Sequence, residues 1–258
     1  MIADILERLQ GKPPAALLLD FDGTLAPIRS RPGQVRLSAA RRRALRRLSR
    51  KMFIAVVSGR SLADLHRRLA VPGMACAGSH GLEIRFRGRL WRHPGCREAA
   101  GLLPAVVRDV RARLGDASGL LVERKPCSAA FHFRLAAPGQ RRRIAKAVRA
   151  AVTPLRGALT LVRGKMVLEA RPALHWNKGD AVRAILALAG LQGRHPLVYI
   201  GDDRTDEDAF RALGRDDVAV QVGRRSGTCA RYRLKTVFAV WELIARLEES
   251  GGGGNSCR

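Results

Sequence analysis

The sequence predicts a three-layer α/β core built on a parallel sheet, with a smaller α+β module inserted into it. Three observations predict this. Short apolar runs at residues 15–19, 53–57, 74–77 and 197–200 each stop at a polar or glycine-rich turn. Helical periodicity occupies 38–50, 61–69 and 178–189 between them. Buried strands alternating with amphipathic helices signal a sheet covered on both faces. The middle of the chain breaks that rhythm, with a helical stretch at 98–114, strand-like stretches at 120–123 and 128–135, and a second helix at 140–152. A hairpin at 159–163 and 166–170 turns around Gly164. This yields a discontinuous core at 1–98 and 172–250, an inserted module at 99–171, and a glycine-rich tail at 251–258 expected to be disordered.

The bulk properties set limits on partners. With 258 residues and 47% apolar content the chain can bury a proper core. No apolar run approaches the roughly 18 residues of a membrane span. Residues 1–10 place Ile2, Ile5, Leu6 and Leu9 at helical spacing with acidic residues and no basic start, unlike a signal peptide. The expectation is a cytoplasmic monomer without a membrane partner. The five cysteines are odd in number, scattered and free of Cys-x-x-Cys pairs, which argues for buried or idle thiols over a disulfide framework or zinc site.

The net charge of +26, 48 basic against 22 acidic residues, raises nucleic acid as a partner. The densest runs read otherwise. Arg41, Arg42, Arg43, Arg46 and Arg47 interleave with Ala40, Ala44, Leu45 and Leu48, and Arg141, Arg142 and Arg143 precede Ile144, Ala147, Val148 and Ala151. These are helical periods with charge outside. No aromatic residues interleave to stack bases. Nucleic-acid binding is therefore not the primary function expected, although the positive field would speed capture of an anionic substrate.

In parallel α/β sheets ligands bind beyond the carboxyl ends of the strands. The first apolar run delivers Asp20, Phe21, Asp22, Gly23 and Thr24 there. Two carboxylates two residues apart on an extended stretch share a direction, and such a pair is costly to bury without a cation. The second run ends in Ser58, Gly59 and Arg60. A hydroxyl and N–H groups at a helix start cradle phosphate, and a plain serine N-cap is the alternative reading. Lys178 opens a helix after Trp176 and Asn177, against the helix dipole; a solvated lysine is the alternative. The run 197–200 ends in Gly201, Asp202, Asp203, Arg204, Thr205 and Asp206, more acids than a helix cap needs. Hard carboxylate oxygens beside phosphate suit Mg²⁺.

The order DFDGTL, SGR, NKG and GDDRTDEDAF resembles the four motifs of the haloacid dehalogenase (HAD) superfamily. The stretches GSHGLEIR, ERKPCSAAFHFR and LEARPALHWNKGDAV resemble its trehalose-6-phosphate phosphatase family. That resemblance implies a Rossmannoid HAD-like core with a cap of the C2 type. It implies hydrolysis of trehalose 6-phosphate, a small-molecule sugar phosphate, through an aspartyl-phosphate with Mg²⁺ as cofactor. Asp20 would be the nucleophile and Asp22 the general acid and base. Thr24 and Ser58 would hold phosphate oxygens, with Gly23, Gly59 and Arg60 alongside, and Lys178 would neutralise charge. Asp20, the main-chain carbonyl of Asp22, and Asp202 would hold the metal, supported by Asp203 and Asp206. Glu123, Lys125 and Glu169 would meet sugar hydroxyls, with Glu83, His132, Arg134 and Asn177 nearby. Alternatives within the superfamily are a sucrose-phosphate or mannosyl-phosphoglycerate type phosphatase and a phosphomannomutase-like enzyme. The alternative outside it is a nucleic-acid-binding protein using the basic surface.

Overall fold

The structure is a computed structural model that describes residues 1–10, 13–28, 35–115, 119–164 and 166–250; the expected tail at 251–258 lies outside them. The chain divides into two compact units, Met1–Trp91 with Trp176–Arg258, and Arg92–His175. In chain order the first unit contributes α1 (Ile2–Arg8), β1 (Ala16–Leu19), α2 (Ala39–Leu48), β2 (Phe53–Val57), α3 (Leu62–Leu69), β3 (Ala75–Gly78), β4 (Glu83–Phe86) and β5 (Arg89–Arg92). The second contributes α4 (Gly95–Leu114), β6 (Leu121–Arg124), β7 (Ala129–His132), α5 (Pro138–Val152), β8 (Leu159–Gly164) and β9 (Val167–Pro172). The chain then returns through α6 (Lys178–Ala189), β10 (Leu197–Gly201), α7 (Asp206–Ala212), β11 (Val218–Val222), β12 (Tyr232–Leu234) and α8 (Val237–Ser250).

The larger sheet runs β12-β11-β10-β1-β2-β3-β4-β5. Its strands from β12 to β3 are parallel, and β4 turns antiparallel to β3. Strand β1 is buried along its whole length because both faces are covered. Leu17 and Leu19 pack in one cluster with Leu45, Leu65 and Leu243 from α2, α3 and α8. Leu18 packs in the other with Ile185 and Phe210 from α6 and α7. The α/β class and parallel sheet read from the sequence are what the chain adopts. Register matters most for the site. Leu19 lies opposite both Ile200 and Val56, so the chain leaves β1, β10 and β2 at one level.

The second unit is a four-stranded antiparallel sheet in the order β6-β7-β9-β8. One of its faces is covered by α4 and α5, whose Val106, Val110, Ile144 and Val148 cluster with Phe131, Leu168 and Ala170. This unit begins at Arg92 and ends at His175, wider than the expected 99–171, because α4 already starts at Gly95. The cysteine expectation needs correction. Cys96 and Cys127 are joined as a disulfide across 31 residues, with Cα atoms 4.9 Å apart. The fold brings the start of α4 to the β6–β7 turn, a proximity that cysteine spacing does not encode. Among the described residues no helix is long and apolar enough to cross a membrane.

Phe131 is fully buried between the module's helices and sheet. Phe131→Ala is expected to lower stability by about 3–5 kcal/mol, read as a fall in urea midpoint at unchanged slope.

Candidate active site

Three strand ends and one helix start of the first unit bring polar side chains together. Asp20 follows β1 directly, and its N–H donates to the Ile200 carbonyl at 2.9 Å. Lys178 comes from the start of α6, where a lysine opposes the helix dipole. The local sequence compensates. Asn177 is the N-cap, its Oδ1 accepting from Gly179 N at 2.8 Å and Asp180 N at 3.1 Å, while Asp180 Oδ2 accepts from Asn177 N at 3.0 Å. This capping box holds the helix end and aims Lys178 inward. Asn177, expected beside the substrate, has its Oδ1 committed to that cap.

Lys178, 2% exposed, donates to Asp20 Oδ1 and Asp206 Oδ1, both at 2.7 Å. Asp206 is fully buried and already accepts four hydrogen bonds: Lys178, the Tyr199 hydroxyl at 2.7 Å, and the N–H groups of Asp202 at 3.0 Å and Asp203 at 2.9 Å. It is the anchor that shapes the turn after β10. Asp203 itself is exposed and turns its Oδ1 to the N–H of Arg204. Asp20, Asp202 and Asp206 each place a carboxylate oxygen within 4.8 Å of the others.

Gly23 shows how tightly the first and last of these strand ends meet. It has φ +86°, and a Cβ built there would lie 2.0 Å from Asp202 Oδ2. Its N–H is spent on the Ala26 carbonyl at 2.7 Å, so the glycine provides clearance rather than a free donor. Gly59 does the same under His80, whose ring carbon would stand 2.8 Å from an added Cβ.

The expectation that Asp20 and Asp22 point the same way needs revision. Strand β1 ends at Leu19, so the alternation rule no longer governs Asp22. Asp22 instead pairs with Arg60, which donates through Nε at 2.5 Å and Nη2 at 2.6 Å. Arg60 also donates Nη1 to Asp64 Oδ2 at 2.8 Å, and its guanidinium lies 5.6 Å from the Phe21 ring centroid. Asp64 in turn gathers Arg67 and Arg68, and these arginines, with Arg60, hold its carboxyl well below the usual carboxylate range despite partial burial. The backbone of this corner is knitted to the next turn. Ser79 N donates to the Arg60 carbonyl at 2.6 Å and His80 N to the Ser58 carbonyl at 2.9 Å. Ser79 and His80 both adopt left-handed φ, +50° and +57°, a strained geometry that this packing enforces. Ser58 is buried, and its Oγ accepts from Arg60 N at 3.2 Å. Glu83 opens β4, buried and opposite Gly78.

The cap-type residues lie in the second unit. Glu123, Ala130 and Glu169 are aligned across β6, β7 and β9, which puts both carboxylates on one face of the sheet. Glu169 Oε1 accepts from Lys125 Nζ at 2.9 Å and Ser128 Oγ at 2.6 Å. His132 Nε2 lies 3.0 Å from Glu123 Oε2, and Arg134 is exposed beyond the end of β7.

The donor set of the first unit fits a hard divalent cation. Its ligands are all oxygen, and Asp202 Oδ1 and Thr24 Oγ1 are buried without a protein partner. Without a cation the carboxylates repel. Burial, reinforced by Asp206 and Asp202 and opposed by Lys178, pushes the Asp20 carboxyl well above its ordinary value. Burial and Asp206 push Asp202 up to about 7. Lys178 moves the other way: burial disfavours its ammonium, but Asp20 and Asp206 outweigh that and raise it. An unfolded aspartate titrates near about 4. Between there and about 7 the folded chain holds the extra proton, so metal-free stability due to Asp202 is present at low pH and lost as pH rises through that window. A bound cation favours the ionised carboxylates and opposes this trend. The gain in Tm on adding a divalent cation is therefore expected to grow from pH 5 to pH 8 in thermal melts. A gain that shrinks over that range would contradict the assignment.

A model of the trehalose-phosphatase family matches residues 18–237, which include every strand end described above. The trehalose-phosphate phosphatase of Mycobacterium marinum is 37% identical over 242 residues, 91% of this chain and 62% of that protein. The chain thus spans less than two thirds of the length of such curated relatives. The crystal structure of a trehalose-6-phosphate phosphatase related protein matches with a TM-score of 0.77 at 24% identity, covering 92% of this chain and 98% of that one. The Aspergillus fumigatus trehalose-6-phosphate phosphatase matches with a TM-score of 0.67 at 26% identity, covering 97% and 98%. The fold is shared with a haloacid dehalogenase-like hydrolase from Bacteroides thetaiotaomicron, at 16% identity and a TM-score of 0.66, covering 90% of this chain and 98% of that one. Matched along most of its length, through the strand ends that carry Asp20 and Asp202 and the helix start that carries Lys178, the chain belongs to the trehalose-phosphatase family.

Proposed function

We propose that the protein is a Mg²⁺-dependent phosphatase that hydrolyses trehalose 6-phosphate to trehalose and phosphate. The observation that carries this reading is the buried Asp20, gripped by Lys178 at 2.7 Å beside the partnerless Asp202 Oδ1 and Thr24 Oγ1. A carboxylate so held is oriented to attack phosphorus, and family membership supports the substrate.

In this mechanism an Asp20 oxygen forms a bond to phosphorus while the bond from phosphorus to the sugar oxygen breaks. Asp22 gives that leaving oxygen its proton, then takes one from the water that cleaves the aspartyl-phosphate, restoring Asp20. Both Asp22 oxygens contact Arg60, so Asp22 releases one of these contacts to carry the proton. Lys178 offsets the charge on Asp20 and on the transferring group, and Thr24 and Ser58 hold phosphate oxygens. Mg²⁺, held by Asp20, Asp202 and the Asp22 carbonyl, would reduce the repulsion between carboxylate and phosphate. Glu123, Lys125 and Glu169, with His132 and Arg134, would recognise sugar hydroxyls through charge-assisted hydrogen bonds.

Phosphate release should be fastest with trehalose 6-phosphate in a panel that includes sucrose 6-phosphate, glucose 6-phosphate and mannosyl-3-phosphoglycerate. Equal rates across the panel would refute the substrate. EDTA should abolish release and Mg²⁺ restore it. Asp20→Asn should reduce turnover by about 10⁴-fold or more while the protein stays folded by circular dichroism. Glu169→Ala should weaken sugar-phosphate hydrolysis yet spare p-nitrophenyl phosphate; equal losses on both would exclude a recognition role.

A further inference from the structure

Gln221 is out of keeping with its strand. It sits in β11, Val-Ala-Val-Gln-Val, fully buried and paired in register with Gly201 of β10. A buried carboxamide costs stability unless its donors and acceptor are used. Gln221 uses them on the turn that carries Asp202. Its Nε2 donates to the main-chain carbonyl of Asp202 at 2.8 Å and to that of Val222 at 2.7 Å. Its Oε1 accepts from Thr228 Oγ1 at 3.4 Å, and that hydroxyl accepts in turn from Ala230 N at 3.1 Å. The two carbonyls and the Thr228 hydroxyl together set which end of the carboxamide faces Asp202.

The peptide groups of Asp202 are thus held from two sides. Its N–H donates to Asp206 Oδ2, and its carbonyl accepts from Gln221 Nε2. Its Oδ1 is the atom left without a protein partner. With the main chain clamped, only the side-chain torsions of Asp202 remain to be ordered when an ion arrives. A neutral donor suits this task. Lysine or arginine in its place would add a positive charge competing with a cation, and an apolar residue would leave the Asp202 carbonyl unsatisfied.

From the juxtaposition of the buried Gln221 carboxamide with the Asp202 carbonyl, we infer that Gln221 is a positioning residue that sets the affinity of the carboxylate cluster for a divalent cation. The inference rests on reading that cluster as a cation site. Groups that orient a metal ligand typically change affinity by about 10–100-fold when removed.

Mn²⁺ alone, followed by electron paramagnetic resonance in the full chain, tests this without turnover. Gln221→Met keeps the volume and removes the donors, and Thr228→Val removes only the hydroxyl that helps orient them. Gln221→Met is expected to raise the Mn²⁺ Kd by about 10–100-fold, and Thr228→Val to raise it by a smaller factor. A merely structural glutamine would lower the metal-free Tm and leave the Kd unmoved. Wild-type Kd in folded Gln221→Met overturns the inference. If Gln221→Met does not fold, wild-type Kd in Thr228→Val overturns it instead. Failure of the unaltered protein to bind Mn²⁺ overturns the cation reading itself, a result distinguishable from either.

Discussion

The ammonium of Lys178 between Asp20 and Asp206 is the interaction on which the site depends. All three groups are buried, and the contacts join residues 158 and 28 positions apart. One cation facing two carboxylates, with Asp202 close by, leaves the ionised cluster negative. Desolvation makes such an arrangement expensive, and removing one partner of a buried pair typically costs about 3–5 kcal/mol. The cluster resolves its excess by holding protons or by binding a further cation. That is why the Asp20 and Asp202 carboxyls are raised while Lys178 stays firmly charged.

A second electrostatic group stands beside the first. Arg60 bridges Asp22 and Asp64, and Arg68 grips Asp64 from the next turn of α3. The two aspartates of one short motif are thereby given different partners, an ammonium for Asp20 and a guanidinium for Asp22. That division lets one carboxylate act as an oriented nucleophile and the other as a proton carrier in the proposed mechanism. A point charge and a planar fork are suited to those different tasks.

The parts of this structure that the sequence made legible are those with strong local signals. Strands β1, β2 and β10 are buried on both faces, so each reads as an unbroken apolar run. The serine N-caps of α2 and α3 announce those helices. Strands β4 and β5, at one end of the sheet, were silent because Arg85, Arg87, Arg89 and Arg92 break any apolar period. Asp20, Lys178 and Asp202 were visible as acids and a lysine at strand and helix ends. The Arg60 clamp on Asp22, the Gln221 brace and the Cys96–Cys127 bond were not. Each depends on partners far away in sequence, and no local pattern encodes which partner a side chain will find.

The register of β1 has a consequence for how the protein is made. This strand is followed closely by its neighbour β2, which begins at Phe53, but its other neighbour, β10, begins only at Leu197. Until then one edge of a fully apolar strand has no partner within the sheet. Such late, non-local pairing slows folding and leaves sticky intermediates. The nascent chain therefore carries Asp20 long before Lys178 and Asp202, and the buried charge cluster can close only after β10 has been made.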